Sequence, residues 1–238
     1  MHKIKSAPFI FNGRDLARFL LVQNVTRAIV PKRKVQTIDA GARTFARPFG
    51  LEPMSIKVTC AVMEETARDV AAARHELAEA LYTERPAKLI LADDGGTYVN
   101  AYYVGGAEPD SLTKYPCVEL EFLAPDPIAY GAHHKEEFDK RAQVFTGGTY
   151  KTRPRVIVTP SAGTTYWEAR NYTTGKYVGV HANFDGNSQL VIDMQLERTT
   201  INRHDIAVDL NSDFFSIRTG DVLMATTEYT IEWEERFI

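Results

Sequence analysis

The chain has 238 residues, with 28 Lys+Arg against 31 Asp+Glu and a formal net charge of −3. That balance excludes a polycation drawn to nucleic acid by bulk charge. A composition of 44% apolar and 25% charged residues excludes a disordered chain.

No apolar run approaches the roughly 20 residues that a membrane-spanning helix needs. The opening MHKIKSAPFIFNGRD lacks the apolar segment and cleavage site of a secretory signal. At roughly 150 residues per domain, the length allows one or two domains, each able to build a core without a disulfide or metal staple.

In chain order, short apolar runs at Phe9–Phe11 and Phe19–Val22 flank a tight turn at Asn12-Gly13. Residues 31–50 form a basic stretch broken by Gly and Pro, read as a long loop. Residues 55–62 alternate, with Ile56, Val58, Cys60 and Val62 on one face, which predicts a half-buried strand. Ala67, Val70, Ala71, Leu77 and Leu81 recur at helical spacing and predict a helix over 64–82, with Glu64 and Arg68 as an i,i+4 pair. Pro86 ends it.

A hairpin follows, turning at Asp93 to Gly96 and returning through Val104. Cys117 to Ala124 reads as another strand, stopped by Pro125 and Pro127. Cys60 and Cys117 both lie in alternating apolar runs and are expected to be buried free thiols.

Beyond Thr149 the helical pattern is gone. Short strands are expected at 155–159, 164–170, 177–181, 189–193, 198–201, 214–217, 221–224 and 228–234, separated by turn signals. The expected fold class is therefore mixed. An N-terminal α+β domain (1–130), an antiparallel sheet with one main helix, leads through a polar linker (131–149) to an all-β sandwich or jelly roll (150–238).

Searching for chemistry returns little. GGTYKT at 147–152 has the wrong glycine spacing for a phosphate loop. His133-His134-Lys135-Glu136-Glu137 lacks the i,i+4 histidine pair of a zinc protease, and Asp93-Asp94-Gly95-Gly96 lacks the alternating ligands of a calcium loop. His204-Asp205 has no nucleophile beside it. The expectation is no enzyme, with no catalytic residue, cofactor or metal.

Two features stay open. The basic residues Arg27, Lys32, Arg33, Lys34, Arg43 and Arg47, against Asp39 alone, suit either a charged partner surface or a solvated loop. Tyr166, Trp167, Tyr172 and Tyr177 suit either a sugar-stacking platform or sandwich core.

The order of features resembles the distal tail protein family of long, non-contractile-tailed bacteriophages and prophages. Phe11-Asn12-Gly13 is similar to that family's opening strand and turn. Ile29-Val30-Pro31 and Gly41-Ala42-Arg43 resemble its long loop, although a Gly-Arg-Asp-Gly type turn is commoner there. Pro86 to Ile90 with Asp93-Asp94 and Tyr98 resembles its hairpin, and Phe122 to Tyr130 its strand end before the second domain. Gly147-Gly148-Thr149, Pro154, Asn171, Thr174-Gly175, Leu190 to Asp193, Asp213 to Ile217 with Gly220, and Tyr229 to Phe237 follow in the order of its second domain.

The resemblance implies a galectin-like sandwich and a homo-hexameric ring at the tail tip, with the N-terminal domains building the ring. It implies a virion tail protein, made in the bacterial host cytoplasm. Such a ring joins the tail tube protein to the tail-associated lysin or tip hub and to receptor-binding proteins. DNA passes through its channel without specific binding, and no membrane insertion is expected. On this reading Arg27, Lys32, Arg33, Lys34, Arg43 and Arg47 contact a subunit or partner. The alternative is a carbohydrate-binding module for the host cell wall, facing saccharide with Tyr166, Trp167 and Tyr172. Burial of Trp167 counts against it.

Overall fold

The computed structural model describes residues 8–63, 67–106 and 117–238, and the side chains of 67–72 lie outside that description. The expected Glu64–Arg68 pair and the Ala67, Val70 and Ala71 part of the helical stripe therefore fall outside it. The chain divides into two compact units, Met1–Ala129 and Tyr130–Phe237, with Ile238 grouped with the first.

The first unit contains β1 (Phe9–Phe11), β2 (Arg14–Asp15), β3 (Leu20–Arg27), β4 (Arg33–Ala40), β5 (Arg43–Leu51), β6 (Met54–Val62), α1 (Ala67–Leu81), β7 (Ala87–Leu91), β8 (Val99–Gly105) and β9 (Cys117–Ala124). Seven strands form one sheet in the order β2-β1-β7-β8-β9-β6-β3, with antiparallel neighbours.

The alternation in 55–62 does what it predicts: Ile56, Val58 and Cys60 are fully buried. They meet Phe9, Phe11, Leu89, Leu91 and Phe122, and α1 adds Ala80 and Leu81 to the same core. Two ion pairs tie α1 to the start of the sheet, Arg14–Glu79 at 2.6 Å and Arg18–Glu76 at 2.7 Å. Cys60 is buried as expected, and burial pushes its thiol pKa up to about 12. Cys117 is exposed instead, its Sγ 3.6 Å from the Gln23 side chain, because it lies at the open end of β9.

The second unit contains β10 (Ala129–Phe138), β11 (Arg141–Gln143), β12 (Arg155–Val158), β13 (Tyr166–Asn171), β14 (Tyr177–His181), β15 (Leu190–Asp193), β16 (Arg198–Ile201), β17 (His204–Asp205), β18 (Val222–Ala225) and β19 (Tyr229–Phe237). They form a six-stranded sheet, β10-β19-β12-β15-β16-β17, and a four-stranded sheet, β11-β18-β13-β14. Val156 and Ile192 from the first and Trp167, Val178 and Leu223 from the second share one core, so the two sheets make a sandwich.

The polar segment read as a linker is part of this sandwich. β10 is an edge strand, and edge strands tolerate polar residues on the face they show to water. His134 turns inward, stacked on Trp233 at 5.1 Å, with Nε2 2.9 Å from Glu235 Oε1. The expected strand at 214–217 is reduced to a single bridge between Ile217 and Thr152.

One end of the sandwich is fixed by a buried polar pair. Asn171 Nδ2 donates to Asp221 Oδ2 at 2.8 Å, and both residues also bond to loop backbone at Ser216, Thr174 and Arg218.

Candidate functional site

The basic stretch is a long hairpin. Among the described residues β4 and β5 pair only with each other, from Arg33↔Leu51 to Ala40↔Arg43, around a turn at Gly41-Ala42. Gly41 there has a φ of 66°, which glycine adopts without strain. The register slips between Lys34 and Val35, so Phe49 is an extra residue on β5, beside Pro48.

All of β4, and β5 up to Gly50, are exposed, so neither face of the ribbon is covered by the described residues. Two-stranded ribbons are marginal in water, and this one exposes Val35, Ile38, Phe45 and Phe49 by 50 to 65%.

Strand alternation sorts the side chains. Lys34, Gln36 and Ile38 on β4 share a face with Arg43, Phe45 and Arg47 on β5. The opposite face carries Arg33, Val35, Thr37 and Asp39 with Thr44, Ala46 and Pro48. Three cations thus surround the Ile38–Phe45 pair on one side. On the other, Asp39 lies toward the turn, at the opposite end of β4 from Arg33, and accepts from Thr44 Oγ1 at 2.6 Å. Lys34, Arg43 and Arg47 have no ion pair among the described residues. The sequence placed the cations; the apolar centre between them is the part it left unread, although Arg43-Thr44-Phe45-Ala46-Arg47 carries the two-residue period.

The remaining basic residues behave differently. Lys32 precedes β4, its carbonyl accepting from Glu52 N at 2.8 Å. Arg27 is not free for a partner: its guanidinium bonds Asp93 at 3.0 Å and also Asp94. The Asp94 side chain is 3% exposed, and burial raises its pKa against the opposing pull of Arg27 and of the Leu91 N–H. Arg27 therefore pins the end of β3, just before the chain leaves for the hairpin.

The aromatic residues divide as well. Trp167 is fully buried, its Nε1 donating to Thr227 Oγ1 at 2.9 Å. It points inward because β13 alternates, burying Trp167, Ala169 and Asn171, and it has no open face for a sugar ring. Tyr166 lies on the outer face, donating to Glu168 at 2.7 Å and packed over Gly179 and His181. Tyr172 is 61% exposed, in the turn after β13, with Arg141 over its ring. The three are not brought together into one platform.

His204 and Asp205 form β17, and Arg198 Nε donates to Asp205 at 2.5 Å, holding that carboxyl below its usual range. No cluster of three His, Cys, Asp or Glu among the described residues is placed to hold a metal.

Residues 147–237 match the siphovirus-type tail component, C-terminal domain, and residues 49–124 match the phage tail protein RIFT-related domain. The chain belongs to the phage distal tail proteins. No curated protein matches it by sequence.

Among solved structures, this tail component is similar to the SPP1 Dit protein, described as a paradigm of the hub adsorption apparatus in phages infecting Gram-positive bacteria. The two share 21% identity and a TM-score of 0.85, over 97% of this chain and 99% of that one. It is also similar to a chain of the phage P2 baseplate in its activated conformation with Ca, at 7% identity and a TM-score of 0.50, over 93% and 92% of the two chains. At these identities the likeness is one of fold. The exposed hairpin lies almost wholly ahead of the first matched domain.

Proposed function

We propose that this tail component is a structural, non-catalytic hub of the tail tip. Six copies close into a ring that joins the tail tube protein to the tip hub or tail-associated lysin and to receptor-binding proteins. The observation that carries the reading is the β4–β5 ribbon: an exposed basic and apolar face that none of the described residues covers, in a chain whose fold is similar to that of a hub protein. The ribbon's face suits a protein surface, where Ile38 and Phe45 can be buried, better than a DNA backbone. A channel that gripped phosphates would also slow the passage of DNA. The galectin-like character of the sandwich belongs to this proposal as well. A saccharide-binding role has lost its anchor with the enclosure of Trp167.

The test is the solution mass by light scattering, with negative-stain images of the same peak. Six copies in cyclic closure weigh about 160 kDa. A ring-shaped particle near that mass is the expected result. A monomer, both alone and after co-expression with the neighbouring tail proteins, overturns the proposal.

A further inference from the structure

At one end of the six-stranded sheet the strand ends separate. β10 stops at Phe138, β12 stops at Val158, and the start of β19 lies between them. The opening is a cleft of about 530 Å³, lined among others by Glu137, Phe138, Asp139, Thr159, Glu228 and Tyr229.

Its chemistry is one-sided. Glu137, Asp139 and Glu228 are exposed carboxylates without an ion pair among the described residues. Elsewhere in the same unit several acids have cations: Glu232 has Lys135, Glu168 has Arg170, Asp213 has Lys176 and Asp205 has Arg198, while Asp185 and Asp193 accept from turn N–H groups. A second feature, independent of the acids, is Tyr229. It is 4% exposed, packs edge-on against Phe138 at 5.9 Å, and its hydroxyl has no hydrogen-bond partner among the described residues. A buried hydroxyl left unpaired costs about 1–3 kcal/mol, so such groups are ordinarily satisfied. An acidic cleft with an unsatisfied hydroxyl and an aromatic wall suits a ligand that brings N–H donors and an alkyl stem, as lysine and arginine side chains do.

The chain itself carries the complementary surface. Lys34, Arg43 and Arg47, without an ion pair among the described residues, stand on one face of the β4–β5 ribbon, around Ile38 and Phe45. We propose that the Glu137–Asp139–Glu228 cleft of one copy receives the basic face of the β4–β5 ribbon of a second copy. This rests on the ring reading and adds to it the receiving surface. Cations of the ribbon meet the three carboxylates, a donor reaches the Tyr229 hydroxyl, and Phe138 packs against the apolar centre of the ribbon.

The experiment is a charge swap in the full-length chain, read as the assembled fraction against concentration. Glu137→Lys with Glu228→Lys is expected to weaken assembly at least about tenfold, and Arg43→Glu with Arg47→Glu to do the same. All four substitutions lie on exposed residues, so the thermal unfolding of the monomer should hold. Combining both pairs is expected to recover most of the loss.

Tyr229→Phe is a second measurement. It should leave monomer stability equal or higher, since it removes an unsatisfied group, while lowering assembly. Cleft variants that assemble like the parent chain overturn the proposal, as does a ribbon defect that the cleft pair fails to rescue. Loss of monomer stability in Tyr229→Phe with assembly unchanged also overturns it. A parent chain that never associates overturns the ring reading along with this one, whereas a ring indifferent to the cleft overturns this one alone.

Discussion

Two hairpins of this chain have the same local structure and opposite surroundings. In β13–β14, every second residue is taken into a core: Trp167, Ala169, Val178 and Val180 are buried while Tyr166, Glu168 and Arg170 face out. In β4–β5 the ladder is longer, yet apolar and charged residues alike lie in water. A ribbon's hydrogen bonds do not by themselves determine whether it is held. Burial does, and burial supplies the larger energy. The first hairpin is held by its own chain. The second presents the same kind of apolar side chain to whatever comes to cover it.

The largest expected effect sharpens this contrast. Trp167→Ala should cost about 3–5 kcal/mol of stability, measured by denaturant unfolding, because a fully enclosed indole leaves a cavity. Asn171→Ala should cost about 2–3 kcal/mol in the same assay, since it strips a hydrogen bond from the buried Asp221 carboxylate. Arg27→Ala, which leaves Asp94 buried beside Asp93 without its cation, should cost about 1–2 kcal/mol.

Phe45→Ala should change the stability of the single chain by less than about 0.5 kcal/mol while clearly lowering its assembly. A stability loss comparable to that of Trp167→Ala would mean that the ribbon is covered by its own chain after all. Smallest of all, Lys34→Glu should impair assembly more than Arg33→Glu, since Lys34 lies on the face with Arg43 and Arg47 and Arg33 on the other. Equal effects would erase the distinction between the faces. The buried and open strands of the sheet can be compared in the same spirit: a thiol reagent at neutral pH should label Cys117 in the folded chain and Cys60 only after denaturation.

The same contrast explains what could be read in advance. The strand at 177–181 was legible to the residue, because a half-buried strand writes its burial into alternating side chains. The β4–β5 ribbon has no buried face, so its alternation of charge and apolarity looked like a loop broken by Pro48 and Gly50. The β10 sequence reads as a linker because an edge strand shows water most of its length. The helix was legible at Leu77 and Leu81, which pack where the period put them. The acidic cleft could not be foreseen, since residues near 138, 158 and 229 meet only through the pairing of β10, β19 and β12. Trp167 was ambiguous because a strand's two faces are equivalent until the sheet's partner is known.

The extra residue at Phe49 has one more consequence. An uncovered ribbon is a template on which further strands stack without end. Here the ladder is broken beside a proline that offers no N–H, and like charges recur along the strand. Both features poison edge-to-edge growth. The ribbon must then be recognised by its side chains rather than its backbone. A contact of that kind fits a defined seat, so on the proposed assembly association would end at a closed particle rather than grow into a fibre.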